Sequence, residues 1–281
     1  VKAEAGAPLN APDRYAVFGH PVGHSRSPWL HARFAELTGE SLVYEARDVP
    51  PGQFETALAE FLQAGGKGLN ITVPHKLAAF EAAARLTPRA RRAGAVNTLA
   101  VTPGGLLGDN TDGAGLLRDL QQNLGLALPR QRILLVGAGG AARGALGPLL
   151  DAGPSELVIA NRHADKARAL AADFSADGAV SGIGLGEAHG PFALVVNATS
   201  ASLSGAVPDL PDDAVGPDTF CYDMAYGSGP TAFERWARER GAAGVADGRG
   251  MLVEQAAESF ALWRGVRPPT AGVLAALRGD G

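Results

Sequence analysis

At 281 residues, with 46 % hydrophobic and 19 % charged, the chain has the composition of a soluble globular protein, long enough for one large domain or two smaller ones. A formal net charge of −4 with dispersed basic residues leaves no footprint for nucleic acid, although a small anionic ligand needs only a few local cations. Cys221 is the only cysteine, which excludes internal disulfides and multi-cysteine metal sites; residues 1–10 carry no apolar leader core and no run reaches ~18 apolar residues, so a cytoplasmic chain outside the membrane is expected.

Apolar runs of strand length alternate with amphipathic segments of helix length, the pattern of an α/β fold with largely parallel sheets. The first half predicts strands over 14–18, 42–48, 68–72, 97–101 and 105–107, and helices over 29–37, 54–63 and 76–84. Residues 111–124 predict a further helix, after which Gly125 and LALPRQR lead into a new unit. That unit opens with RILLVGAGGAARGA, a buried strand running into a Gly-rich turn, and adds strands over 156–160, 192–196, 219–223 and 244–246. An amphipathic helix over 250–263 is long enough to pack back on another domain, so two α/β domains are the economical organisation.

The stretch GLNITVPHK, 68–76, alternates apolar Leu69, Ile71 and Val73 with Asn70 and Thr72, then presents Lys76 just past a proline. One strand end thus offers an amide, a hydroxyl and an ammonium group. Five more segments place polar groups where strands end or helices begin. GHPVGHSRSP sets Ser25 and Ser27 before a helix, where capping alone explains one of them. AGAVNT holds Asn97 and GDNTDG holds Asp112, which at a helix start is also merely a good cap. Tyr226 follows a strand end in DMAY, and Gln255 lies on the last helix in MLVEQ. His20 and His24 are four apart, but no further ligand stands near them, and no metal is expected.

Gly137, Gly139 and Ala142 fill the G-x-G-x-x-(G/A) pattern between a strand and a helix. The first glycine permits the tight turn and the second lets the backbone approach a pyrophosphate. The small third residue lets helix and strand pack closely, and the helix N-terminus offers free N–H groups to the phosphates. About twenty residues on, where an NAD site places Asp or Glu for the ribose hydroxyl, the chain has Asn161 and Arg162, with Lys166 a helical turn later. Cations attract a 2′-phosphate that a carboxylate would repel, so NADP is expected over NAD, with Asp165 as the one contrary charge.

Taken together, G-x-P-x-x-H-S-x-S-P, N-x-T-x-P-x-K, A-G-A-V-N-T, G-D-N-T-D, G-A-G-G-A, N-R, N-A-T-S, D-M-x-Y and G-M-L-x-x-Q, in this order over about 15–265, resemble the shikimate dehydrogenase family. The resemblance implies a substrate domain of residues 1–113 and 251–281, completed by C-terminal helices, and a Rossmann-type NADP domain of residues 114–250. It implies NADPH-dependent reduction of 3-dehydroshikimate to shikimate, with Lys76 and Asp112 as the catalytic pair. Ser25, Ser27, Asn70, Thr72, Asn97, Asp112, Tyr226 and Gln255 would surround the substrate. Gly137, Ala138, Gly139, Gly140 and Ala141 would hold the pyrophosphate, Asn161, Arg162, His163 and Lys166 the adenosine phosphate, and Met224 and Gly250 the nicotinamide side. A cyclohexene carboxylate with three hydroxyls suits such short hydrogen-bonding groups, the two serines taking the carboxylate and Asn70, Asn97 and Asp112 the hydroxyls. The expected partner is that small molecule alone, on a monomer or homodimer. Departures fall at Pro88, His163, Ser202 and Gly227–Ser228, none of them at Lys76 or Asp112. The alternatives are a quinate/shikimate dehydrogenase using NAD and a non-catalytic nucleotide-sensing module; a methyltransferase turn suits Arg162 and Lys166 less well.

Overall fold

The computed structural model describes residues 11–279. The stretch 1–10, on which the leader expectation rests, and residues 280–281 lie outside the described residues. The first sheet contains β1 (Asp13–Gly19), β2 (Leu42–Asp48), β3 (Gly66–Ile71), β4 (Arg85–Leu86), β5 (Thr98–Thr102) and β6 (Gly105–Asp109), in the spatial order β2-β1-β3-β5-β6-β4. Helices α1 (Ser27–Thr38), α2 (Phe54–Gln63), α3 (Lys76–Ala82) and α4 (Pro88–Ala93) connect these strands.

The alternation in β3 holds at Leu69, Asn70 and Ile71 but not at Val73, which lies past the strand end and is 66 % exposed. Leu69 and Ile71 enter a core with Phe18, Phe54 and Phe61, while Asn70 faces the opposite side of the sheet. The parallel expectation holds for β1, β2 and β3 but fails at β5, which runs antiparallel to both β3 and β6. The cause is local: only Pro103 and Gly104 join β5 to β6, and so short a link can only reverse the chain.

Past α5 (Asp112–Arg118), a second sheet holds β7 (Arg132–Val136), β8 (Glu156–Asn161), β9 (Val180–Gly184), β10 (Leu194–Asn197), β11 (Phe220–Asp223) and β12 (Gly244–Ala246). All are parallel, in the order β12-β11-β10-β7-β8-β9. This is the doubly wound order, whose direction reverses between β7 and β10; such crevices take ligands at the carboxyl ends of the strands. The outer helices are α6 (Gly140–Asp151), α7 (Ala164–Asp173) and α8 (Ala232–Glu239). β4 and β9 carry no sequence signal: one is two residues long, and the other, VSGIG, is a half-exposed edge strand with two glycines.

The helix expected over 111–124 is shorter and less regular. α5 ends at Arg118 and the chain widens into a π turn over 119–123. The widening holds the buried Asp119 carboxylate on the Tyr222 hydroxyl at 2.7 Å and the Asn123 amide at 2.9 Å. Two C-terminal helices, α9 (Arg249–Arg264) and α10 (Ala271–Gly279), return to the first domain, where Val253, Ala257, Phe260 and Leu274 pack on Leu30 and Phe34 of α1. The fold is therefore two α/β domains, the first completed by the chain's end. Among the described residues no helix is long and apolar enough to cross a membrane.

Candidate active site

A cleft of about 460 Å³ separates the two sheets. Its walls include Ser25, Ser27, Asn70, Thr72, Lys76, Asn97 and Asp112 from the first domain, Ala141, Met224 and Tyr226 from the second, and Gln255 from α9. Residues far apart in sequence, from Ser25 to Gln255, thus share one concave surface, because β3 and β6 end, and the antiparallel β5 begins, at the cleft.

The polar groups in this cleft form a network whose direction can be worked out. The backbone N–H of Thr111 must donate, and at 2.8 Å it meets Asn97 Oδ1. Asn97 therefore turns its NH2 group toward Asp112 Oδ1, 2.8 Å away. The Lys76 ammonium donates to the other oxygen, Oδ2, at 2.6 Å. Both oxygens of Asp112 are thus acceptors, held between two donors, with the Lys76 and Asp112 side chains only 16 % and 9 % exposed. Asp112 opens α5, yet its carboxylate points into this network and caps no N–H of its own helix. Geometry thereby separates the two explanations that sequence left side by side.

Ser25 Oγ accepts from the Ser27 N–H at 3.3 Å, a local turn at the start of α1 that accounts for part of its placement. Ser27 is buried and caps nothing. Thr72 follows the end of β3, with its N–H on the Phe18 carbonyl. Across the cleft, burial pushes the Tyr226 phenol above its ordinary range, with the Arg26 charge opposing the rise and Asp247 adding to it, and Tyr226 lines the same cleft as Ser25 and Ser27. Gln255 donates to the Leu252 carbonyl at 2.9 Å, which turns its Oε1 toward Asn97 and Thr111.

The Gly-rich turn fits a dinucleotide. Gly137 has φ +113°, a conformation that favours glycine, and a Cβ there would stand 3.2 Å from Thr199. A Cβ on Gly139 would project into open space, and no side chain caps α6, so the first-turn N–H groups are available to an anion. Ala138, Gly140 and Ala141 continue this turn, and Gly140 lies beside the Lys76 side chain. At the end of β8, Asn161 donates to the His163 carbonyl at 3.0 Å and shapes the loop. Arg162, His163 and Lys166 are exposed there, and among the described residues no carboxylate pairs with Arg162 or Lys166; Asp165 pairs instead with Arg168 at 3.2 Å. Met224 lines the cleft, but Gly250 does not. A Cβ on Gly250 would stand 2.0 Å from Asp119 Oδ1, so this glycine makes room for the buried carboxylate, and Gly248 lies on the cleft in its place.

Several residues of the site carry no assignment from sequence. Thr98, Thr111 and Ser259 hydrogen-bond the amides from behind, and Thr199 and Ser200 line the cofactor-domain wall. Thr98, Thr111 and Thr199 stand in motifs already singled out, one position from a flagged residue or inside N-A-T-S. Ser259 lies four residues after Gln255, on the same helix face. Among the described residues no group of three or more His, Cys, Asp and Glu is placed to hold a metal ion.

A Rossmann sheet facing a second α/β domain across a cleft with a Lys–Asp pair defines a two-domain nicotinamide-dependent oxidoreductase. Three family models match along the chain: the shikimate dehydrogenase substrate binding domain over 17–99, shikimate/quinate 5-dehydrogenase over 119–203, and the shikimate 5'-dehydrogenase C-terminal domain over 248–278. A shikimate dehydrogenase (NADP(+)) of Alkalilimnicola ehrlichii is 56 % identical over 266 residues, covering 95 % of this chain and 98 % of the relative. Among solved structures, an Ael1 enzyme from Pseudomonas putida is similar with a TM-score of 0.86 and 49 % identity, covering 94 % of this chain and 98 % of that one. Shikimate 5-dehydrogenase from Thermus thermophilus, in complex with NADP(H) and shikimate, is similar with a TM-score of 0.84 and 35 % identity, over 96 % and 100 % of the two chains. The chain belongs to the shikimate dehydrogenase family.

Proposed function

We propose that this chain is an NADP-dependent dehydrogenase that reversibly reduces 3-dehydroshikimate to shikimate, a cytoplasmic enzyme acting on a small molecule as a monomer or homodimer. The substrate domain comprises residues 1–113 and 251–281, and the NADP domain residues 114–250. The observation that carries the reading is the acceptor-only Asp112 between Lys76 and Asn97, in a cleft facing the phosphate-binding turn.

NADPH, when bound, supplies the hydride. Ketone reduction develops an alkoxide that needs a proton, and Lys76 Nζ carries one into the cleft. Asp112, accepting from both neighbours, has no proton to give; it holds the ammonium in place and bonds the reacting hydroxyl region. Asn70 and Asn97 read further ring hydroxyls with Thr72 and Gln255 beside them, while Ser25, Ser27 and Tyr226 take the carboxylate end. Residues Gly137 to Ala141 hold the pyrophosphate, Met224 borders the nicotinamide side, and Asn161, Arg162, His163 and Lys166 hold the 2′-phosphate. The lack of a carboxylate partner for Arg162 and Lys166 among the described residues supports NADP over NAD.

The test is the near-ultraviolet absorbance of reduced nicotinamide, followed with shikimate or quinate and with NADP+ or NAD+. Turnover should be fastest with shikimate and NADP+. Faster turnover with NAD+ and quinate would move the chain to the quinate-using type. NADP+ binding without turnover on either substrate would make it a sensor.

A further inference from the structure

We infer that Tyr44 is a positioning residue for the substrate side of the cleft, its hydroxyl setting the amide of Asn70 so that only the carbonyl oxygen is left for a ligand. Tyr44 lies on β2, off the cleft, and nothing in its sequence surroundings marks it. In the sheet register Tyr44 pairs with Tyr15 and Asn70 with Val17 of the intervening strand, so both side chains leave the same face. The phenol reaches across β1, and its hydroxyl donates to Asn70 Oδ1 at 2.8 Å.

The direction of that bond is imposed by the rest of the network. Asn70 Nδ2 donates to Ser259 Oγ at 2.9 Å and to Thr98 Oγ1 at 3.1 Å. Those hydroxyls have acceptors of their own elsewhere: Ser259 the Gln255 carbonyl at 3.1 Å, Thr98 Asn97 Oδ1 at 2.9 Å, and the two hydroxyls meet each other at 2.8 Å. Asn97 is itself oriented by the Thr111 N–H. Both N–H groups of Asn70 are therefore used, and one lone pair of Oδ1 belongs to Tyr44. What remains is a single acceptor, suited to a hydroxyl that donates. Without the Tyr44 hydroxyl, Oδ1 loses its donor and the amide is held from its NH2 side alone, by Ser259 and Thr98.

The ring of Tyr44 is held as firmly as its hydroxyl. His31 of α1, fully buried, stacks on it with centroids 4.2 Å apart and planes within 4°. Behind His31 lies Phe260 of α9 in a second stack at 6.1 Å, with Phe34 edge-on at 5.9 Å. Edge strand, first helix and C-terminal helix thus converge on one phenol that aims one amide.

The inference rests on the reading that Asn70 receives a substrate hydroxyl, and the experiment separates the two. Tyr44→Phe keeps the stacked ring and removes only the hydroxyl. It is made in the Asn70 chain and again with Asn70→Ala, measuring shikimate KM, kcat and the NADP+ Kd by fluorescence titration. In the Asn70 chain, KM should rise about 10-fold, the scale of one lost hydrogen bond, with the NADP+ Kd within about two-fold. In the Asn70→Ala chain the same change should move KM by less than about two-fold, because Tyr44 has nothing left to aim. An equal rise in both backgrounds, or none in the first, overturns the inference. Should Tyr44→Phe not fold, His31→Leu, which keeps the hydroxyl and loosens the ring, must show the same background-dependent rise; an equal shift in both backgrounds overturns the inference. Wild-type chain that turns over no shikimate fails the functional reading and this inference with it, whereas normal turnover with a flat cycle fails only Tyr44.

Discussion

Replacing Asp112 by asparagine tests the central geometry, because a carboxamide has the shape of a carboxyl group but only one acceptor atom. The native carboxylate accepts from Lys76 at 2.6 Å and from Asn97 at 2.8 Å. Whichever way the new amide turns, its NH2 group meets either the ammonium or the Asn97 NH2, donor against donor. One hydrogen bond to a charged group is lost, at ~1.5–3 kcal/mol, and a poorly exposed donor is left unpaired at a further ~1–3 kcal/mol. Misplacing Lys76 by that much, about 3 kcal/mol, corresponds to roughly 100-fold or more in rate. The assay is steady-state kcat/KM for shikimate oxidation beside the NADP+ Kd by fluorescence titration. The first should fall by that factor while the second stays put. The result has a sharp alternative: were Asp112 a neutral acid aiming Lys76 through its carbonyl oxygen, asparagine would replace it with little loss. A variant within about three-fold of wild type would therefore refute the acceptor-only assignment.

Lys76→Ala should lower turnover by ~100-fold or more with a smaller effect on substrate affinity, and a loss of only a few-fold removes Lys76 from the proton transfer. Arg162→Ser with Lys166→Ser should weaken NADP+ binding by ~10-fold or more and leave NAD+ binding near its starting value; equal weakening of both would show that these cations do not read the 2′-phosphate. His31 supplies a prediction about acid stability. Burial pushes its imidazole from 6.5 down to about 3. The unfolded chain therefore takes up a proton through a window in which the folded chain cannot, and stability present above pH 6.5 is lost progressively as pH falls toward 3. By about pH 5 this single group should remove about 2 kcal/mol. Urea unfolding at about pH 7.5 and pH 5 should show wild type losing that much more than His31→Phe, and equal losses would contradict a desolvated imidazole.

Asn70 and Thr72 could be found in the sequence because polar residues alternating with apolar ones in a strand-like run have few structural uses, and Lys76 because it follows that run just past a proline. Tyr44 and Ser259 could not, because their plain uses, a half-buried aromatic on a strand and a serine on a helix, are satisfied locally. What makes them part of the site is register: a phenol reaching over a neighbouring strand, and a hydroxyl brought 189 positions along the chain to Asn70. Gly250 shows the opposite error. It stands beside true cleft residues in sequence, but the helical turn carries it to the Asp119 carboxylate, while Gly248 takes the cleft. The antiparallel β5 was implied by the short link between the strands expected over 97–101 and 105–107, whose reversal the general α/β pattern obscured. The π turn was not visible, since the Asp119 carboxylate it turns inward is held by the Tyr222 hydroxyl, 103 residues away.

The network also explains why motif residues and unmarked residues function as one object. A side-chain amide can be turned end for end at little cost to its shape, so a site built on Asn70, Asn97 and Gln255 has no fixed pattern of donors and acceptors of its own. Backbone groups cannot be turned in that way. The Thr111 N–H orients Asn97, and the Leu252 and Gln255 carbonyls orient Gln255 and Ser259. Each anchor sits at a helix end or on a helix that packs against a different core. Recognition of a small polyhydroxylated ring thus depends on α5 and α9 being held together, and that contact includes the buried Asp119 for which Gly250 leaves room. A substitution that pushed those helices apart would scramble the polarity of the cleft before it altered any residue that touches the substrate.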